Sequence, residues 1–210
     1  MSTNITMSPS ATAQSSAGVR RAVTVAGLVG AVASAGFIAG LIVLHDRSGA
    51  ELARTPVTVA ECLVAGLAFI VLAISLSGLA GATGLPSWVL STVAVGCAFV
   101  AIQAWASGSV IANVAHRVPD AEFDRLGEST FLLQLLTIPM IVACLIGFVA
   151  LGIIGWRRRS VPRGACVLFI LAGVASLTGS FPPIGLFAGL ALAWTARTTS
   201  VGSEAGMARS

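Results

Sequence analysis

Five apolar runs constrain this chain more than any other feature: about Ala22 to Leu44, Val57 to Leu79, Trp88 to Gly108, Phe131 to Trp156, and Gly164 to Ala196. Each reaches the roughly 20 residues with which a helix crosses a hydrocarbon layer about 30 Å thick. Water-soluble domains carry about a quarter charged residues, whereas here only 10% of 210 residues are charged and 56% are hydrophobic. Inside lipid every backbone amide must find its partner within the protein, and for runs of this length the helix provides it. The sequence therefore predicts an all-α membrane protein.

The number of spans turns on the last run. As one helix, Gly164 to Ala196 would extend about 50 Å at 1.5 Å per residue, well beyond the bilayer. The interruption Gly179-Ser180-Phe181-Pro182-Pro183 divides it, and paired prolines suit the start of a helix rather than its interior. The expectation is a bundle of six transmembrane helices, at about 22–44, 57–79, 88–108, 131–156, 164–179 and 182–196, or five if the last stretch is a single helix. Both arms of the final hairpin are short, so the bilayer must thin there or neighbouring helices must cover them. Residues 20–197 read as one transmembrane domain. The Ser/Thr/Ala/Gln-rich segment 1–19 and the segment 198–210 read as disordered cytoplasmic tails.

Between the runs, His45 to Pro56 reads as a polar loop and Ala80 to Ser87 as a glycine/proline turn. Ser109 to Thr130 is the longest polar connection, and within it Pro119, Asp120 and Glu122 mark the start of a short surface helix that would turn Phe123 and Leu126 towards lipid or protein. Pro139 predicts a kink in the fourth span.

All twelve basic residues are arginine, as a GC-rich coding sequence would favour. Their distribution orients the chain. With the N-terminus inside, cytoplasmic segments hold Arg20, Arg21, Arg157, Arg158, Arg159, Arg163, Arg197 and Arg209, against Arg47, Arg54, Arg117 and Arg125 outside. Trp88, Trp105, Trp156 and Trp194 fall at expected span ends, as in an interfacial aromatic belt. The implied location is the bacterial inner (plasma) membrane with both termini cytoplasmic. Arg20-Arg21 followed by Ala33-Ser34-Ala35 also fits a twin-arginine export signal, but the run is long enough to remain as an anchor. Scattered in small groups at span ends, the arginines form no face for nucleic acid.

The run Gly155-Trp-Arg-Arg-Arg-Ser-Val-Pro-Arg163 with the Pro-Pro hairpin after it resembles the C-terminal halves of small uncharacterised actinobacterial multi-pass membrane proteins, including the DUF4386-like group. That resemblance implies a helical membrane fold and carries no activity.

Few residues point to chemistry. Glu61 is the one acid inside an expected span, where a carboxyl faces a cavity, a partner or the interface, and it lies close enough to the outer end to reach Arg47 or Arg54. Gln103 and Gln134 lie within or near spans three and four, and each suits an interhelical hydrogen bond. If their helices are neighbours, Glu61, Gln103 and Gln134 line one outward-facing ligand pocket. His45, Asp46, His116, Asp120 and Asp124 are competent metal ligands, but their spacing specifies no site and a solvated acidic loop is the simpler reading. Cys62, Cys97, Cys144 and Cys166 sit in apolar runs without a CxxC pair and read as small core residues. There is no HExxH, no GxSxG and no phosphate-binding glycine loop with lysine, so no cofactor, metal or catalytic residue is assigned.

Two functions fit. One is a non-catalytic subunit or scaffold of a membrane complex, its small-residue faces at Gly36 and Gly40 and at Gly185 and Gly189 packing on its own helices, a membrane-protein partner or a second copy. The other is a small transporter or ligand sensor using a pocket near Glu61.

Overall fold

The computed structural model describes residues 9–79, 84–129 and 131–207, with side chains described at 17–79, 84–123, 125, 126 and 135–198. Among them the chain forms helices and no strand: α1 (Pro9–Val43), α2 (Gly49–Arg54) and α3 (Pro56–Ser75), the last closing in a 3-10 turn at Leu76–Leu79. Then come α4 (Ser87–Ala106), continuing through a π turn at Ser107–Ile111 into α5 (Ala112–Arg117), and α6 (Asp120–Ser129). The chain closes with α7 (Phe131–Arg158), α8 (Arg163–Ala175) with a 3-10 turn at Ser176–Thr178, and α9 (Phe181–Met207).

Four segments are long and apolar enough to cross a membrane: Ala17–Val43, Pro56–Leu79, Ser87–Arg117 and Leu135–Arg158. The last apolar run is two helices. Gly179 adopts a φ of 69°, the left-handed conformation that glycine reaches without a Cβ clash and that ends a helix. Pro182 and Pro183 then occupy the first turn of α9, where the missing N–H has no partner to lose. Arg163–Thr178 is apolar but short, about 24 Å at 1.5 Å per residue.

Helices α1, α3, α4, α7, α8 and α9 pack in a ring in chain order, and α9 returns to α1. The closing seam is antiparallel: Gly27 faces Gly189, Ser34 faces Gly185, and the Phe37 and Phe181 rings lie 5.3 Å apart. The start of α1 and the end of α9 therefore share one end of the bundle, here the proximal end. Loops bearing α2, α6 and the α8–α9 turn lie at the distal end. At the seam the backbones touch, since a Cβ on Gly27 would stand 2.6 Å from the Gly189 carbonyl and 3.1 Å from the Ala193 amide. Lipid gives apolar helices little reason to associate, so such van der Waals proximity is what binds them. Phe148 of α7 stacks on Phe169 of α8 at 6.1 Å. All four cysteines are free and buried, each on a different helix of the ring.

Several boundaries differ from the sequence reading. Helix α1 starts at Pro9 and α9 runs to Met207, into segments expected as disordered tails; proline suits a first turn and the alanines that follow carry the helix on. The expected loop after the first run contains α2, because Ser48 caps it by accepting the Glu51 N–H at 3.2 Å. The third span does not end at Gly108. That glycine lets α4 approach α3, where a Cβ would stand 2.9 Å from Cβ of Cys62, while the helix continues to Arg117. Trp105 consequently lies across Gly66 near the middle of α3 rather than at a helix end. Of the expected turn at 80–87, residues 80–83 lie outside the described residues; Gly84 takes a φ of 61° ahead of Pro86 and α4.

Replacing Gly189 by Ile should lower stability by about 1–3 kcal/mol through overpacking. Gly40→Ile, where a Cβ meets nothing within 4 Å, should stay within about 0.5 kcal/mol. Denaturant unfolding in mild detergent reads the difference, and equal effects would contradict the close α1–α9 seam.

Candidate functional site at the distal helix ends

The distal end is organised around Arg54, the last residue of α2. Its Nε donates to the Ala115 carbonyl at 2.6 Å and its Nη2 to the Val118 carbonyl at 3.1 Å. Its Nη1 lies 2.8 Å from Oδ1 of Asp120. The C-terminal carbonyls of α5 have no partner within their own helix and carry the negative end of its dipole. A guanidinium satisfies them with a fixed fork of donors. Ser48 adds a hydroxyl that donates to Oδ2 of Asp120 at 3.1 Å while capping α2. Asp120, at the start of α6, is where a carboxylate also favours the helix dipole. The result is a clasp joining α2, α5 and α6.

Glu61 does not pair with Arg54. It lies partly buried on α3 and presses across the α1–α3 seam onto Gly36, whose missing side chain leaves the room its carboxyl fills. Gln103, on α4, donates from Nε2 to the Gly179 carbonyl at 2.9 Å and so fastens α4 to the α8–α9 turn. Its Oε1 is buried without a hydrogen-bond partner among the described residues. Gln134 belongs to α7, and its side chain lies outside the described residues. No hydrogen bond among those residues joins Glu61 to Gln103, which face different neighbours.

The α8–α9 turn is set back from the helix ends around it. Phe181 rests on Phe37, more than a turn before α1 ends at Val43. Gln103 reaches Gly179 while the α4–α5 helix runs on to Arg117, about four turns further. Part of that extension is the π turn, a form concentrated at functional sites. Ser107 and Ser109 each donate to a carbonyl four residues back, at 3.0 and 2.5 Å.

The weighed metal ligands do not converge. Among the described residues His45 pairs with the adjacent Asp46, at 3.0 Å, and both are exposed. His116 lies in the last turn of α5, and extended backbone at Val118 separates it from Asp120, so the two share no helical face. Asp120 is held by Arg54 and Ser48, and the Asp124 side chain lies outside the described residues. No group of three His, Cys, Asp or Glu side chains forms among the described residues.

Sequence reasoning missed the clasp, because Arg54 finds its carbonyls 61 and 64 residues away. It also missed Ser34, whose Oγ is buried without a partner among the described residues, in the space that Gly185 leaves. The only signal for Ser34 was a small polar residue on an apolar helix face.

The hydrogen bonds from Arg54 and then Ser48, reinforced by the guanidinium charge, outweigh partial desolvation and hold the Asp120 carboxyl below its ordinary 3.8. A lowered carboxyl contributes stability above its unfolded value and loses it as pH falls through the folded one. The unfolding midpoint of the native protein should therefore exceed that of Asp120→Asn near neutrality, and the gap should close below about pH 4. A gap independent of pH would remove the carboxylate from the clasp.

Compared with known proteins, the chain matches no family model, no curated protein and no solved structure.

Proposed function

We propose that this chain is a non-catalytic six-span protein of the bacterial plasma membrane, with its proximal end and both termini in the cytoplasm, serving as a subunit or scaffold of a membrane complex. One observation carries the reading: three of the polar side chains that the sequence put forward are taken up in contacts between helices. Gln103 holds the α8–α9 turn, Asp120 belongs to the Arg54 clasp, and Glu61 fills the gap at Gly36. Gly185 and Gly189 are consumed by α1, whereas Gly40 meets no neighbour among the described residues and leaves a close approach open to a partner helix or a second copy. The arginine asymmetry supports the sidedness, and the ring packing of α8 and α9 supports counting them as spans. Neighbouring helices that extend past the α8–α9 turn answer the shortness of α8.

Pull-down of the C-terminally tagged protein from its native membrane in mild detergent should bring down a stoichiometric membrane-protein partner or a second copy. Recovery of a solitary chain would overturn the subunit reading. A reporter fused after Arg197 should lie in the cytoplasm and one inserted at Gly49 outside; a reporter after Arg197 found outside would replace six spans with five.

A second reading, a small transporter or ligand sensor, draws on the buried unpartnered Oε1 of Gln103 beside the set-back turn. A ligand that raises the melting temperature of native protein but not of Glu61→Gln would favour it, since binding to the folded state alone stabilises.

A further inference from the structure

At the proximal end the α7–α8 connection forms an open-sided cavity of about 540 Å³ lined by Trp156, Arg157, Arg159, Val161, Pro162 and Arg163. We propose that this cavity binds the phosphodiester headgroup of an anionic phospholipid. Three guanidiniums line it, and no acidic residue stands in the chain between Glu128 and Glu204. Arg158 is turned aside, donating to the Gly84 carbonyl at 2.8 Å. Arg163 lies 5.8 Å from the centre of the Trp156 ring, which fixes both beside the cavity.

The backbone is arranged for an anion as well. Helix α8 begins at Arg163 with no side chain capping it, its first internal bond being Cys166 N–H to the Pro162 carbonyl. The preceding N–H groups have no acceptor within the helix and mark the positive end of the dipole. Arg159 follows the last residue of α7 with a φ of 53°, and the bonds from Arg159 N–H to the Trp156 carbonyl and from Ser160 N–H to the Gly155 carbonyl form a helix-ending motif that glycine fills at lower energy. An arginine kept in that strained position is the kind of outlier that accompanies function. Next to it the Ser160 Oγ is buried without a partner among the described residues.

A lipid rather than a soluble phosphate is favoured by depth. Trp156 and Trp194 are half exposed at this end, at the level where indoles meet headgroups, and Trp194 lies against Gly164 in the first turn of α8. Three guanidiniums and free amide donors match the charge and acceptor oxygens of a phosphodiester. The inference requires only that this end of the bundle lies at a membrane surface. It is independent of which side that is and of any partner, so it and the proposed function can fail separately.

The test uses the full-length protein in uncharged detergent, titrated with phosphatidylglycerol, phosphatidylcholine or inorganic phosphate and read by native mass spectrometry. Phosphatidylglycerol should bind saturably and phosphatidylcholine should not. Removing Arg157, Arg159 and Arg163 as glutamines should weaken binding roughly fivefold per arginine. The charge-matched distal variant Arg47→Gln/Arg117→Gln/Arg125→Gln should bind like native protein. Because a triple variant risks misfolding, Arg159→Gly serves beside it: glycine suits that φ, so its unfolding midpoint should be at least native while lipid binding falls about fivefold. Equal weakening by the proximal and distal triples would reduce the effect to general charge attraction and overturn the site. Inorganic phosphate displacing the lipid at equal concentration would overturn the lipid assignment in favour of a soluble anion.

Discussion

The contact on which the rest of the structure depends is the backbone-to-backbone approach of α1 and α9 at Gly27 and Gly189. Lipid gives apolar helices almost no hydrophobic gain on association, so a ring of them closes only where surfaces come close enough for dispersion and directed polar contacts to act. This seam joins the two ends of the domain, and its geometry places the neighbours. Phe69 of α3 fills the volume left by Gly30 and Gly185, and one turn and more along α1, Gly36 receives Glu61. Adding side chains at the seam would therefore displace more than two helices.

Polar groups supply what packing alone does not, a definite register. In hydrocarbon an unpaired donor or acceptor is costly, so a side chain that meets one carbonyl fixes the depth of one helix against another. Gln103 does this for the α8–α9 turn, together with Ser176, whose hydroxyl donates to the Ile141 carbonyl of α7 at 3.3 Å. Arg54 does it where α5 ends beyond the apolar part of α4 and its last carbonyls need donors. Glu61 is the unusual member, a carboxyl accommodated by an absence of side chain across the seam.

The two ends of the bundle differ in how their charges are met. Distally, Arg54 and Asp120 satisfy each other together with backbone and serine partners. Proximally, Arg157, Arg159 and Arg163 gather around a cavity at a helix start, on a stretch of chain that holds no acid. Arginine concentrated at one end is what sets membrane orientation, and a strained arginine backbone in the same turn goes beyond that requirement.

The sequence by itself determined that the chain is helical and apolar enough to cross a membrane, where the last run breaks, and where a surface helix begins. These are local properties: run length, the φ freedom of Gly179, and the missing N–H groups of Pro119, Pro182 and Pro183 act within a turn or two of chain. It did not disclose that Gly108 is a packing position inside a longer helix, or that Glu61, Gln103 and Arg54 each have separate partners. A glycine reads alike as a stop or as a close contact until a neighbour is placed beside it, as Cys62 is beside Gly108. Only the tertiary structure decided such matters, because the groups that decide them lie a whole span or more away in sequence and meet only once the ring is closed.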